Sequence, residues 1–262
     1  MLDYCQRLKK IAKKARKFRI WNLEYHADVK NIMILRDRKN SFATVKQRRE
    51  NLKMTDKVIE NNQVVIMGEI ISKFTFSHEI YGEGFYLVDV LVPRLSEASD
   101  VIPLMVSERL LDVEQDYIGQ KISVSGQFRS YNRHDEVKNK LVLSVFVREI
   151  TFIEEIGESS KTNQIFLDGY ICKAPVYRKT PLGREIADVL LAVNRPYGKS
   201  DYIPCICWGR NAHYSSTFEV GTRCCVWGRI QSREYMKKIS ETDAEKRVAF
   251  EVSVSKLEKI EE

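Results

Sequence analysis

Four aromatic residues and a scatter of cations occupy the last hundred residues of this chain in a pattern suited to planar ligands and phosphates. Tyr197, Tyr202, Trp208 and Tyr235 lie among Arg178, Lys179, Arg184, Arg195, Lys199, Arg210, Arg229 and Arg233. If Tyr202-Ile203-Pro204-Cys205-Ile206-Cys207-Trp208 is a strand, Tyr202, Ile206 and Trp208 share one face and Cys205 and Cys207 the other, because successive side chains alternate. Rings interleaved with cations are what a single polynucleotide strand requires: each base gains about 1–3 kcal/mol by stacking, and the cations follow the phosphates. Any base has a face to stack on, so little sequence preference is expected.

No constellation for catalysis accompanies these residues. His26, His78, His134 and His213 lack ligand spacing, no glycine-rich loop ends in Lys-Ser or Lys-Thr, and Asp188 and Asp201 have no acidic partner in a motif. The expectation is a protein that is not an enzyme and that needs no cofactor or metal. Six cysteines, Cys5, Cys172, Cys205, Cys207, Cys224 and Cys225, include no Cys-x-x-Cys pair. Cys205 and Cys207 on one strand could meet Cys224 or Cys225 on a neighbour to hold zinc, but small buried apolar residues in a reduced cytosol are the preferred reading.

The elements that must position the aromatic residues are written twice. Asn62-Gln63-Val64-Val65-Ile66-Met67-Gly68-Glu69-Ile70 returns 101 positions later as Asn163-Gln164-Ile165-Phe166-Leu167-Asp168-Gly169-Tyr170-Ile171. Ile102-Pro103 answers Ile203-Pro204 at the same offset, Gly119 to Gly126 answers Gly221 to Gly228 at 102, and Leu141 to Phe152 matches Val248 to Lys259. Register held across four blocks means two copies of one domain. In the first copy the spacing predicts strands over 64–71, 85–92, 102–106, 121–129 and 141–152, with a turn at Tyr81-Gly82-Glu83-Gly84 and a short helix at Ser107 to Leu111. The second copy gives strands near 164–173, 186–194, 202–208, 222–233 and 247–257. Five strands with a helix between the third and fourth is the plan of the OB-fold, a small Greek-key barrel. The fold class is therefore all-β, two tandem OB-folds: 54–153 and 163–262, joined by a polar linker, 154–162.

Residues 1–53 form a separate region. They carry a net charge of +11, against −8 for 54–160 and +4 for 161–262, so the chain's +7 says little about the folded body. Leu8, Ile11, Ala12, Ala15 and Phe18 recur at helical spacing among lysines and arginines, which predicts a basic helical extension. Met54, eight residues before the repeat, is an alternative start. No run approaches the roughly 20 apolar residues of a membrane span, and a cytoplasmic, nucleoid-associated protein with no membrane partner is expected.

The second copy resembles the bacterial single-stranded DNA-binding protein family. The similarity runs through Asn163 to Pro175, Arg178-Lys179-Thr180-Pro181-Leu182-Gly183, Ala187 to Arg195, Asp201 to Arg210 and Gly228 to Tyr235, nearly all of 163–259. It implies that Tyr197, Tyr202, Trp208 and Tyr235 stack on bases and that Arg178, Arg184, Arg195, Lys199, Arg210 and Arg233 contact phosphates. It also implies a role in replication, recombination or repair, and a homodimer presenting four barrels. In the first copy Val101 and Ser107 replace Tyr202 and Trp208, so this acidic barrel is expected to bind DNA weakly or not at all. Phe74, Phe76, Tyr81, Phe85 and Tyr86 around its first hairpin could form a stacking site of their own, but a packed hairpin or a protein interface is the preferred reading. Family members carry an acidic, Phe-ended tail, whereas this sequence closes on Lys259-Ile260-Glu261-Glu262. Recruitment of replication or repair proteins is therefore expected to fall to the first barrel. The rival reading is a tandem OB-fold assembly factor of primosome type that touches DNA incidentally.

Overall fold

A computed structural model describes residues 61–96, 98–134, 139–157, 161–238 and 244–261, all of them strand-rich. The expected basic helix of residues 8–18 and Met54 lie outside the described residues. The first copy contains β1 (Asn62–Ile70), β2 (Thr75–Ile80), β3 (Glu83–Pro93), β4 (Ser99–Ser107), β5 (Lys121–His134) and β6 (Asn139–Phe152). The second contains β7 (Asn163–Ile171), β8 (Val176–Lys179), β9 (Glu185–Arg195), β10 (Lys199–Trp208), α1 (Arg210–Ser215), β11 (Arg223–Lys238) and β12 (Ala244–Lys259).

Each copy closes on itself. β1 pairs with both β3 and β5, β3 with β4, β5 with β6, and the parallel contact of β4 with β6 completes the circuit. The same sequence of pairings, β7 with β9 and β11, β9 with β10, β11 with β12, and β10 parallel to β12, closes the second. Closure removes most of the open edges that a sheet must otherwise protect, and the connectivity is consistent with the OB-fold.

Alternation explains why these segments are strands. In β1, Val64, Ile66 and Ile70 point inward and are essentially buried, and in β7, Ile165, Leu167 and Ile171 do the same. Leu104, Ile122 and Phe128 in one barrel, and Leu191, Ile203 and Ile230 in the other, fill the interiors. Each such side chain contributes about 1.5–3 kcal/mol by leaving water.

Two features depart from the sequence-based expectation. The hairpin strands β2 and β8 were not anticipated. The expected helix at Ser107 to Leu111 does not form: the segment is a run of turns, and only the second copy has a helix after its strand, α1. Ser107 Oγ accepts a hydrogen bond from the Arg109 amide (3.1 Å) and its carbonyl accepts one from the Leu110 amide (3.0 Å), offering the backbone a local turn in place of a helical ladder. At the matching position the second copy has Trp208, which offers no hydroxyl to compete in this way.

The barrels are joined edge to edge. β1 runs antiparallel to β7, with Asn62 opposite Leu167, Val64 opposite Ile165 and Ile66 opposite Asn163, so one sheet passes through both circuits. Val64 and Ile165 are equivalent positions at the 101-residue offset and face each other, which makes the junction pseudo-two-fold. Asn62 clamps Phe128 through two hydrogen bonds, Nδ2 to its carbonyl (2.8 Å) and Phe128 N–H to Oδ1 (2.9 Å). Asn163 clamps Ile230 in the same way, at 2.7 and 2.9 Å.

The long strands β5 and β11 bend at bulges, between Ser125 and Gly126 and between Trp227 and Gly228. A side chain cannot be placed there: a Cβ on Gly126 would run into the Phe146 carbonyl oxygen, and one on Gly228 into that of Ser253. Gly228→Ala should therefore lower stability by about 1–3 kcal/mol. The measurement is a urea transition, in which the midpoint falls while the slope holds; an unmoved midpoint would refute the packing argument.

Candidate nucleic-acid interface

The register of β10 against β9 aligns the outer face of the second barrel. Tyr202 lies opposite Ala192 and Trp208 opposite Ile186. Ile203, Cys205 and Cys207 turn into the core while Tyr202 and Trp208 turn out, 48% and 38% exposed. Six residues of strand separate the two rings by roughly 20 Å. Ile206 shares their face, as the alternation requires, but is covered. Cysteine burial has a chemical consequence: desolvation pushes the Cys207 thiol up to about 11 and the Cys224 thiol up to about 12, so neither readily becomes a thiolate. Among the described residues, no group of three or more potential ligands is placed to hold a metal ion.

Tyr197 sits in the single 3-10 turn Pro196–Gly198 between β9 and β10. Its φ of 64° lies in the left-handed region and its side chain is 99% exposed. A bulky residue adopts that conformation rarely; Tyr81, in the hairpin turn of the first copy, is the other non-glycine residue among those described to do so. Tyr235 lies toward the far end of β11, 37% exposed, with the Arg233 guanidinium 5.9 Å from its ring centre.

The cations divide into two groups. Arg178 is paired with Asp188 (2.9 Å), Arg233 with Glu251 (3.6 Å) and Arg195 with Asp201 (3.4 Å). Arg184, Lys199 and Arg210 are exposed, and among the described residues they make no ion pair. Tyr202 and Trp208 thus share one face of β10, Arg195 turns to buried Asp201 on the other, and Arg233 and Tyr235 stand on β11. Sequence reasoning passed over Tyr177. It is half-exposed on β8, meets His213 edge-on at 6.4 Å, and borders a cleft of about 470 Å³ with Arg210 and Tyr214. Its position beside Arg178 on a four-residue strand was the available signal. Trp227 is elsewhere: it packs on Phe166 at 5.1 Å, with the Lys256 ammonium 4.5 Å above its ring, beside the β1–β7 seam.

At that seam each barrel sends one aspartate into the other. Asp100 accepts from the Ser232 amide (2.8 Å) and from Arg94 Nε (2.6 Å). Asp201, its counterpart at the 101-residue offset, accepts from the Ser130 amide (2.7 Å). Desolvation acts on both carboxyls. At Asp100 the bonds from Arg94 and Ser232 outweigh it and hold the carboxyl below the usual range; at Asp201 desolvation wins over Ser130, Arg195 and Arg129 and the carboxyl is raised.

Closed barrels with an outward face of rings and cations define a class, the small β-barrel proteins built to hold extended ligands. The model of the single-strand binding protein family matches residues 162–260. Single-stranded DNA-binding protein B of Bacillus subtilis is 36% identical over 80 residues, which cover 28% of this chain and 71% of that protein. Single-stranded DNA-binding protein 3 of Listeria innocua is also 36% identical over 80 residues, and there the match spans about half of the relative's length, 50%. Wild-type single-stranded DNA binding protein from Thermus aquaticus superposes with a TM-score of 0.56 at 20% identity, over 77% of this chain and 93% of that one. This chain belongs to the single-strand binding protein family.

The two aspartates provide a test of the junction. Asp100, lowered on folding, contributes stability that is present above its ordinary value of about 3.9 and is lost as the pH falls through its folded value. For Asp201 the sign reverses, because ionisation above its raised folded value costs stability, which returns as the pH falls. At pH 7, Asp100→Asn should cost about 1–3 kcal/mol, while Asp201→Asn should leave the urea midpoint unchanged or higher. The penalty of Asp100→Asn should shrink as the pH falls below about 3.9 and on through the lowered folded value. Equal losses from both substitutions would show that the nodes are not different.

Proposed function

We propose that this protein binds single-stranded DNA with little sequence preference and acts by coating and protecting it, in replication, recombination or repair, rather than by catalysis. The observation that carries this reading is the outward projection of Tyr202 and Trp208 from one strand whose alternate residues fill the core. Tyr197 and Tyr235 extend the row of stacking surfaces, and Arg184, Lys199, Arg210 and the partly paired Arg178, Arg195 and Arg233 serve the phosphates. Ion pairs such as Arg178–Asp188, half exposed, exchange readily for a phosphate because surface pairs are worth about 1 kcal/mol or less. Membership of the family and the names of the Bacillus and Listeria relatives support the ligand.

Each closed circuit is read as one OB-fold. The superposition on the Thermus protein supports two, since 77% of this chain exceeds what a single copy of about 100 residues supplies. In the first barrel the matched positions are unequipped: Val101 is a partly exposed aliphatic and Ser107 is buried. With a net charge of −8 over 54–160, most of its surface suits basic partner proteins, and we assign recruitment of replication or repair factors to it. Two chains would present four barrels, with the Phe166–Trp227 face beside the seam, a cleft of about 510 Å³, as the surface between copies. No described helix is long and apolar enough to cross a membrane, and a cytoplasmic, nucleoid-associated location fits the proposed ligand.

Titration with oligo(dT) should give micromolar or tighter binding with quenched tryptophan fluorescence. Tyr202→Ala or Trp208→Ala should weaken it roughly 5- to 150-fold each, the equivalent of about 1–3 kcal/mol per lost stack, and the double variant should bind almost nothing. No binding at low salt would sink the reading. Sedimentation of the intact protein should give the mass of two chains; a monomer at working concentration would remove the four-barrel assembly.

A further inference from the structure

The pseudo-two-fold junction sets two aspartates in equivalent places and partners them unequally. At Asp100 both carboxylate oxygens are satisfied: Arg94 binds through Nε and Nη2 (2.6 and 2.5 Å), Ser232 through its amide, and Arg229 Nη1 stands at 3.3 Å. At Asp201 one oxygen is satisfied and the other is not. Oδ1 accepts from the Ser130 amide at 2.7 Å, whereas Oδ2 has no hydrogen-bond donor, and Nε of Arg195, in an ion pair with it at 3.4 Å, has no acceptor. Both atoms are buried, and Asp201 as a whole is closed off from solvent. Buried polar atoms are rarely left in this state, and here a donor and an acceptor are left so side by side.

Charge is unbalanced at the same place. Strand register makes Arg129 the counterpart of Gln231, Ser144 of Glu251 and Arg148 of Ser255. Where the second barrel closes an amide on a carboxylate, Gln231 Nε2 donating to Glu251 at 2.7 Å, the first has a guanidinium in place of the amide and a hydroxyl in place of the carboxylate. Arg129, Arg148 and Arg195 therefore line a cleft of about 170 Å³ in which, among the described residues, Asp201 is the one carboxylate. Burial first, and then the charges of Arg195 and Arg148, bring the Arg129 guanidinium down to about 10 despite Asp201. The cleft is smaller than the roughly 300–1,000 Å³ of a site for a drug-sized ligand. At about 30 Å³ for each water, it suits an ion with a few waters rather than a base or a peptide.

We propose that this cleft is a binding site for inorganic phosphate, whose oxygens accept from Arg129, Arg148 and Arg195 and whose P–OH donates to Oδ2 of Asp201. Orthophosphate answers both unpaired atoms at once. At neutral pH it offers acceptor oxygens and keeps at least one proton to donate; sulfate keeps none, and neither does the phosphodiester of a nucleic acid. The buried carboxylate thus repels any anion that cannot donate to it, which sets this site apart from a surface for a DNA backbone. Arg195 borders that surface, but Arg129, Arg148 and Asp201 have no part in it. A phosphomonoester shares the chemistry but loses its second proton near a pH of about 6, so the free ion fits better. The ion would join β5 and β6 of one barrel to β9 and β10 of the other, and its binding should tighten the seam.

The test is calorimetric titration of the full chain with phosphate, sulfate, dimethyl phosphate and methyl phosphate, at neutral pH and fixed ionic strength in a buffer free of other oxyanions. Phosphate should bind roughly 10- to 150-fold more tightly than sulfate or dimethyl phosphate, the factor expected of one hydrogen bond to a charged group. It should also raise the thermal midpoint, which sulfate should not. Arg148→Ala changes an exposed side chain and should weaken phosphate by a similar factor while the affinity for oligo(dT) holds. Asp201→Asn should erase the preference, because an amide can donate to sulfate as readily as it accepts from phosphate; a cooperative urea transition shows that both variants are folded. No heat with millimolar phosphate overturns the site. Equal binding of phosphate and sulfate by the wild type, or a preference that survives Asp201→Asn, overturns the role of the proton. Methyl phosphate bound as tightly as the free ion overturns the choice of source and points to a monoester end. None of these probes is a DNA strand, so their failure leaves the DNA reading standing, and the failure of oligo(dT) to bind would leave the phosphate site standing.

Discussion

The pairing of β1 with β7 is the constraint on which the rest of the molecule depends. It is antiparallel, centred on two equivalent residues, and built from strands whose inward side chains already belong to two different cores. Slipping the register by one residue would turn Val64 and Ile66 out of their core and the polar Gln63 into it, so core packing fixes the junction. The junction in turn carries each aspartate across the seam to the amide of a serine in the other barrel. Those crossings are what make the two barrels one object rather than two beads on a linker.

Divergence between the copies is confined by the same constraint. Inward positions stay apolar, as where Phe128 answers Ile230 and Leu104 answers Cys205, and the asparagine clamps and bulge glycines are present in both copies. Outward positions are free of it. Arg129 bonds Gln127 in one copy, whereas Arg229 bonds Gln231 in the other, an exchange of cation and amide along one strand face. The exchange leaves the backbone unaltered and moves a positive charge from beside Asp100 to beside Asp201. One node becomes saturated and the other is left with an excess of cations and an unfilled cleft.

How much of this was legible in the sequence depends on range. The core strands were readable because alternation is local, and the duplication because blocks such as Asn62–Ile70 and Asn163–Ile171 repeat as written. The outward placement of Tyr202 and Trp208 followed from counting by twos. β2 and β8 escaped because neither alternates: β2 is broken by a register shift between Phe76 and His78, and β8 is four exposed residues. The helix wrongly expected after β4 had the right periodicity, and the Ser107 hydroxyl turned its backbone aside. Nothing in the spacing of Arg129, Arg148, Arg195 and Asp201 indicates that they meet. They come from four different strands of two barrels, and only the seam assembles them.

A duplicated chain can do what a symmetric dimer of one barrel cannot. In a homodimer any change at one node appears at its mate, so saturating one aspartate saturates both, and a face built to stack bases is built twice. Joining the copies covalently releases the outer faces from that identity while the seam continues to hold the inner ones to it. The second copy can then keep an outward row of rings, and the first a net negative charge with a cationic edge toward its neighbour. The unequal nodes lie on the seam between the two faces. Three guanidiniums are gathered there against a single buried carboxylate, an imbalance that only an unsymmetrical, covalently joined pair can hold.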